Sequence, residues 1–220
     1  MSTDMAVIYD RMYGKGKGWS YDPDRESAMI RELVVKPTKL PQWSRILEVG
    51  CGEGVHANAL RKRSMHVTAV DISPVAVKHA KTAYTFASLD FLHRDAADLT
   101  AEFLPGRFDM LYCRGLSWHH YALADAENGI GVNPVKATAG LVSLVKNGGF
   151  FCLQICTDFS GQNGPGVWKN ALKTYVSFME RFGKIVHCSD WWGQPIKPTA
   201  RKTPSGTHGG LIITIQTPKD

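Results

Sequence analysis

The chain reads as an α/β domain: a doubly wound sheet of seven strands, mostly parallel, ending in an antiparallel C-terminal strand pair, with helices on both faces. Three observations predict this. Apolar strand-like runs alternate with helix-like segments from residue 45 to 188, the pattern of βαβ units. The run Ile46-Leu47-Glu48-Val49 leads directly into Gly50, Gly52 and Gly54, as a buried strand does when it turns sharply into a helix. The last two strand-like runs, 184–188 and 210–215, have no helix between them and are expected to pair antiparallel.

In chain order, residues 1–21 carry Tyr9, Asp10, Tyr13, Gly14, Gly16, Gly18, Trp19 and Tyr21 without a clean helical or strand period. They form either a clasp on the domain edge or a mobile lid over a pocket, with the glycines supplying mobility. Asp22-Pro23 opens a helix whose apolar face is Ile30, Leu33 and Val34 and whose end is Pro37. After the glycine turn, 55–63 is a helix and 66–71 a strand ending in Asp71. Ser73-Pro74 starts the next helix, to about Tyr84. Strands follow at 89–93 and 108–113, separated by a helix or turn over 96–103. Asn133-Pro134 opens a helix with Val135, Ala139, Val142 and Val145 as its stripe, stopped by Asn147-Gly148-Gly149 before a strand at 150–156. Trp168 to Phe182 is a helix with Leu172, Val176 and Met179 on one face, and 193–209 is irregular.

Composition narrows the function. With 220 residues, 44% hydrophobic and 21% charged, the chain fits one globular domain with a real core and no internal repeat. No apolar run approaches a membrane span, and the N-terminus lacks the basic and apolar regions of a signal peptide. Cys51, Cys113, Cys152, Cys156 and Cys188 are scattered without a CxxC framework. Neither structural zinc nor a disulfide scaffold is expected, and a reducing cytoplasm fits. A net charge of +6 permits an acidic partner, but it equally fits a soluble basic surface.

Glu48-Val-Gly-Cys-Gly-Glu-Gly54, Asp71 about twenty residues on, Arg94-Asp95-Ala96, Phe108-Asp109 through Gly115, and Val145-Lys-Asn-Gly-Gly-Phe150 occur in an order that resembles the class I S-adenosylmethionine-dependent methyltransferases, small-molecule type. The resemblance runs over about residues 45–157 and implies a single domain. Residues 1–37 would be an N-terminal cap and helix, 45–157 a cofactor-binding core, and 158–220 a C-terminal helix, loop and strand pair. It implies that S-adenosylmethionine is the cofactor and S-adenosylhomocysteine the product. Asp71 would take both ribose hydroxyls, being an acceptor-only carboxylate. Ile72 would pack on adenine, Asp95 would accept from its amine, and the Ala96 backbone would read its ring edge. Gly50, Cys51 and Gly52 would let the amino-acid end approach, with Glu48 supporting the loop and the ammonium indirectly. Cys113, at the fourth strand's end, would face the methyl group. A dehydrogenase is the competitor, but its GxGxxG spacing differs from Gly50, Gly52 and Gly54.

Methyl transfer needs an aligned acceptor and a place for its proton. His119 or His120, just past the fourth strand, is the candidate base, with Trp118 walling the acceptor pocket; otherwise both histidines pack at a helix start. His56, His66, His79, His93 and His187 are expected to be surface or packing residues. The N-terminal segment is similar to the flexible cap of small-molecule methyltransferases, so Tyr13, Trp19 and Tyr9 are expected to close over cofactor and acceptor. The loop from Trp191-Trp192 to His208 either shapes the acceptor site or merely connects. Lys15, Lys17, Arg114, Arg201 and Lys202 would favour an acidic acceptor if they converge. The reading is transfer to oxygen or nitrogen of a small molecule, with RNA methylation and a non-catalytic cofactor-binding domain as alternatives. The sequence names neither the acceptor nor the oligomeric state.

Overall fold

Strand parity organises the architecture. The computed structural model describes residues 3–16, 18–121, 123, 132–162, 164, 166–203 and 206–219. Seven strands form one sheet: β1 Arg45–Val49, β2 His66–Asp71, β3 Leu89–His93, β4 Phe108–Arg114, β5 Val145–Asp158, β6 Lys184–Asp190 and β7 His208–Gln216. Their order is β3-β2-β1-β4-β5-β7-β6. The first five strands are parallel, and β7 runs antiparallel to both β5 and β6. The fold class expected from the alternation is therefore the one observed.

Successive side chains on a strand face opposite ways, and both faces are apolar. Ile46, Met110, Tyr112 and Cys152 pack with Ile30, Val34, Leu60 and Val77 on one side. Leu47, Val49, Leu111, Cys113, Phe151 and Leu153 pack with Leu141, Tyr175 and Met179 on the other. Each fully buried Leu or Ile contributes about 1.5–3 kcal/mol through removal from water. Strand order reverses at β1, with β2 and β3 laid to one side and β4 to the other, so the crevice of a doubly wound sheet opens beyond the carboxyl ends of β1 and β4.

The helices that frame this crevice start on the devices legible in the sequence. The Asp22 carboxylate accepts from Asp24 N and Arg25 N at the start of α2 (Pro23–Met29). The helix continues through a π-helical stretch, Ile30–Val35, and a last turn, α3 (Lys36–Thr38). Val55–Arg61 forms a helix, α4, after the glycine turn. Ser73 caps α5 (Pro74–Ala83), and Asn133 caps α8 (Pro134–Ser143). Between these lie α6 (Leu99–Glu102) and α7 (Ser117–Tyr121), and α9 (Leu172–Met179) follows β5.

Three local expectations are corrected. Residues Thr3–Gly14 form a regular helix, α1, lying against α5, although no helical period was legible there. Its signal is the spacing of Tyr9 and Tyr13, one turn apart on the face turned inward. The fully buried residues of α8 are Pro134, Thr138 and Leu141; of the expected stripe, Val135 and Val142 are partly buried against the core and Ala139 is exposed. Val145 belongs to β5, not to α8. Asn147, Gly148 and Gly149 lie inside β5, where the register with β4 jumps from Phe108↔Val145 to Met110↔Phe150. Among the described residues, no helix is long and apolar enough to cross a membrane. All five cysteines are free thiols.

Candidate active site

A cleft with about 910 Å³ of non-atom space, open solvent included, lies at the carboxyl ends of β1, β2 and β4. Its floor is the glycine turn. Gly50 and Cys51 donate their N–H groups to Val70 O at 2.9 and 3.0 Å, tying the turn to β2. Gly50 and Gly52 hold φ of +79° and +51°, and a Cβ on Gly52 would come within 2.7 Å of the Tyr13 hydroxyl. Asp71, at the end of β2, closes the loop. Its Oδ2 accepts from Gly52 N (2.8 Å) and its Oδ1 from Ser73 N (2.9 Å). Burial raises the Asp71 carboxyl above the usual range, and the two backbone bonds oppose that rise.

Beside this floor, Ile72, Arg94 and Ala96 line the cavity. Asp95 does not line it; one of its oxygens accepts from Ala97 N at 2.9 Å and helps turn the chain toward α6. Glu48 is buried one step behind the turn, its Oε2 unbonded among the described residues, and burial with Asp71 nearby raises its carboxyl well above the ordinary range. Cys51 and Gly52 line the cavity directly.

The roof is aromatic. Tyr9 and Tyr13 descend from α1, and Trp19 and Tyr21 follow from the segment after it. Tyr9 Oη lies 3.1 Å from Ser117 Oγ, and Asp10 accepts from Ser73 Oγ, so α1 is fastened at two points. Burial raises both the Tyr9 and Tyr13 hydroxyls, keeping them neutral. Trp19 lines the cavity yet remains 58% exposed, at the rim. Trp118 is fully buried and forms part of the wall with Ser117 and Leu116.

Five predicted positions lie outside the cavity lining: Glu48 and Asp95, and with them Cys113, His119 and His120. Cys113 points into the core with Leu111; the residue that reaches the cavity is its neighbour Arg114, on the opposite face of β4. His119 and His120 do not line the cavity either, because the turn of α7 directs Ser117 and Trp118 to it and rotates the histidines away. His119 is wholly buried: its Nε2 accepts from Trp118 Nε1 (3.1 Å) and lies 3.0 Å from Thr138 Oγ1, among the rings of Phe151 and Phe178. Burial, with His120 beside it, pushes its imidazole down to about 3. Burial pushes His120 down to about 4, with a hydrogen bond to the Val167 backbone opposing. Both are neutral packing residues in this geometry, and their backbone carbonyls accept from Asn170 Nδ2.

A cluster not singled out from sequence takes the open position. His56, one residue into α4, lines the cavity, and its Nε2 lies 2.9 Å from Glu26 Oε2 on α2. Arg114 Nη1 donates to the same oxygen at 2.6 Å. The guanidinium is stacked between Tyr21 and Trp191, 4.4 and 4.9 Å from their ring centroids. Burial alone would raise the Glu26 carboxyl, but the His56 bond and the Arg114 charge hold it down at about 2. Burial lowers the His56 imidazole, Glu26 opposes that, and Arg114 adds to it. The sequence signal was weak: His56 stands two residues past Gly54, but nothing in sequence links it to Glu26.

Of the basic rim considered from sequence, only Arg114 lines the cavity, and it is already paired with Glu26; Lys15, Arg201 and Lys202 are exposed elsewhere, and Lys17 lies outside the described residues. In the late loop, Trp191 packs over Gly210 and against Arg114, whereas Trp192 is exposed beneath Arg25. Among the described residues no cluster of side chains suits a metal ion.

Known proteins resemble the chain in part of its sequence and in its fold. Residues 46–131 match the family described as a methyltransferase domain. The chain is 33% identical over 90 residues to a ubiquinone biosynthesis O-methyltransferase of Xanthomonas campestris pv. campestris, covering 40% of this chain and 37% of that one. It spans well under half the length of that relative. Among solved structures, the [4+2]-cyclase SpnF superposes with a TM-score of 0.70 at 17% identity, covering 98% of this chain and 96% of that one. A TehB-like SAM-dependent methyltransferase from Corynebacterium glutamicum superposes with a TM-score of 0.60 at 17% identity, covering 98% and 100%.

Proposed function

We infer that this chain, which belongs to the class I S-adenosylmethionine-dependent methyltransferases, transfers a methyl group to an oxygen of a small molecule. The observation that carries the reading is the cavity itself. A glycine turn at positive φ, a buried carboxylate with spare acceptor capacity, and a polar cluster share one aromatic-roofed chamber.

The residues fit S-adenosylmethionine. Asp71 has four lone-pair sites and spends two on backbone N–H groups, leaving two for ribose hydroxyls. Glu48, buried behind the turn, would support it and the ammonium indirectly, and the turn at Gly50, Cys51 and Gly52, with both glycines at positive φ, offers close backbone approach. Ile72 and Ala96 would flank adenine. Tyr9, Tyr13 and Trp19 would cover the bound group. When bound, the cofactor supplies a methyl carried on a sulfonium, a leaving group that needs no protonation. The protein's own work is to align the acceptor, exclude water and receive a proton.

A small acceptor is supported by a chamber roofed by α1 and walled by Trp118. Oxygen is favoured over nitrogen because a neutral imidazole faces the chamber, and because the matched Xanthomonas relative is named an O-methyltransferase. An acidic acceptor would meet Arg94 and Arg114 there, already paired with Glu102 and Glu26. The fold alone would not carry this reading, since SpnF is named as a cyclase on the same scaffold.

Calorimetric titration with S-adenosylmethionine tests it, run beside Asp71→Asn and Asp71→Ala. Losing charge-assisted bonds to ribose should cost about 1.5–3 kcal/mol, roughly ten- to a hundredfold in affinity. Folded wild-type protein that does not bind the cofactor would overturn the reading, and NAD(P) would then be titrated.

A further inference from the structure

The geometry points to His56 as the residue that receives the acceptor's proton, with Glu26 as the positioning residue that fixes its tautomer. This rests on the methyl-transfer reading above. Among the described residues, His56 is the histidine that lines the cavity. It stands at the start of α4, directly after the glycine turn, beside the chamber's floor.

Two partners compete for His56 Nε2. Glu26 is an anion at any ordinary pH, so its Oε2 can only accept, and toward it Nε2 would donate. Arg114 Nη1 can only donate, and it lies within hydrogen-bond distance of both that oxygen and Nε2. With the Nε2 proton directed at Glu26, the lone pair resides on Nδ1, and no described residue hydrogen-bonds to Nδ1. The imidazole is buried, T-stacked at 4.9 Å on Tyr21 and tilted at 6.0 Å to Tyr112, so its plane is fixed. Two charged groups face it, Glu26 from α2 and Arg114 from β4, and their charges offset one another. The neutral imidazole is therefore the resting form, and the Glu26 carboxylate stabilises the imidazolium once formed.

The balance is simple. The acceptor oxygen's lone pair makes the new O–CH₃ bond as the S–CH₃ bond breaks and its electron pair stays on sulfur. The hydroxyl proton moves to His56 Nδ1, giving imidazolium, which later returns it to water. Arg114, clamped between Tyr21 and Trp191, holds the Glu26 carboxylate beside the imidazole.

Two readouts test this on the full chain. Long-range ¹H–¹⁵N NMR of the free protein reads the tautomer and the titration of His56. The expected result is an Nε2–H imidazole titrating below the usual 6.5, moving lower still in Glu26→Gln because the carboxylate no longer favours the charged form. An Nδ1–H tautomer, or a titration that Glu26→Gln leaves unmoved, would overturn the proposal. Methyl transfer from radiolabelled S-adenosylmethionine to 3,4-dihydroxybenzoate, a hydroxyl probe, is measured alongside. His56→Gln should lower kcat by about 10²–10⁴-fold and abolish the acid limb of the pH profile, with cofactor affinity unchanged. Glu26→Gln should shift that limb to lower pH. Wild-type kcat and an intact acid limb in His56→Gln would also overturn it. If wild-type protein binds cofactor but leaves this probe unmethylated, the NMR result decides alone. If it fails to bind cofactor, the methyl-transfer reading fails while the tautomer of the pair is still measured.

Discussion

Gly52→Ala separates what the glycine turn does for the fold from what it does for the cavity. Gly52 holds φ +51°, in the left-handed region, where an L-residue pays roughly 1–2 kcal/mol. The new Cβ would stand 2.7 Å from the Tyr13 hydroxyl and 3.5 Å from its ring carbon Cζ. That neighbour is the far end of a side chain, so Tyr13 can swing away, and the added steric cost to folding is small. Stability should therefore fall by about 1–2 kcal/mol, a drop of roughly 2–8 °C in Tm for a chain of this length. Affinity should fall by more than the backbone strain explains, because the same methyl occupies the face on which the cofactor would lie and dislodges the tyrosine above it. At least a tenfold rise in Kd for S-adenosylmethionine is expected. Gly16→Ala is the control: it carries a similar φ of +62° and its Cβ would meet nothing within 4 Å. Differential scanning calorimetry and isothermal titration of both variants give the comparison. A Gly52→Ala protein that binds the cofactor within twofold of wild type would refute the placement of the ligand over this turn.

Further outcomes follow from the same geometry. His119→Ala should destabilise the fold by about 2–5 kcal/mol, since it empties a buried ring site between Trp118, Thr138, Phe151 and Phe178, while cofactor affinity per folded molecule stays at the wild-type level; loss of binding in a folded variant would return His119 to the site. Because both α7 histidines have folded-state values below the unfolded 6.5, the unfolded chain binds more protons on the acid side; their contribution to stability is present above pH 6.5 and is lost as pH falls toward about 4 for His120 and about 3 for His119. Urea unfolding at a series of pH values should show that slope, and it should flatten in His119→Ala. Removing residues 1–14 takes away the Tyr9–Ser117 and Asp10–Ser73 fastenings and should weaken cofactor binding at least tenfold in calorimetry; unchanged affinity would count against α1 as a roof.

The elements that sequence read well are those whose signal is local. Asp22, Ser73 and Asn133, each followed by proline, do cap α2, α5 and α8, because a cap is a contact of two or three residues. Asp71 was legible for a similar reason: its spacing from the glycine turn is set by one βαβ unit. What failed was phase. The stripe of α8 was centred one residue late, since Val135 and Ala139 are apolar enough to suggest a face whose fully buried positions Thr138 and Leu141 supply. Thr138 is buried because its hydroxyl meets His119, a tertiary reason that no helical pattern contains.

Phase also explains why the proposed base is His56 and not the histidines expected from sequence. At the end of β4 the side chains alternate, so if Cys113 enters the core, Arg114 must face the other way, toward the chamber and Tyr21. The chain then turns at Gly115 into α7, whose first residues, Ser117 and Trp118, line the cavity; His119 and His120, later on the same turn, are carried around to the core side. A histidine adjacent in sequence to a strand end is therefore no nearer the site than its angular position allows. His56 has the better angle, because α4 begins where the glycine turn ends and its first residues stand over the floor. Its partner Glu26 comes from thirty residues earlier, on α2, and the contact exists only because α2 packs on α4. An acid–base pair assembled from two helices and steadied by Arg114 has no one-dimensional signature. It is found by asking which titratable side chain both lines the chamber and has a partner that fixes its proton.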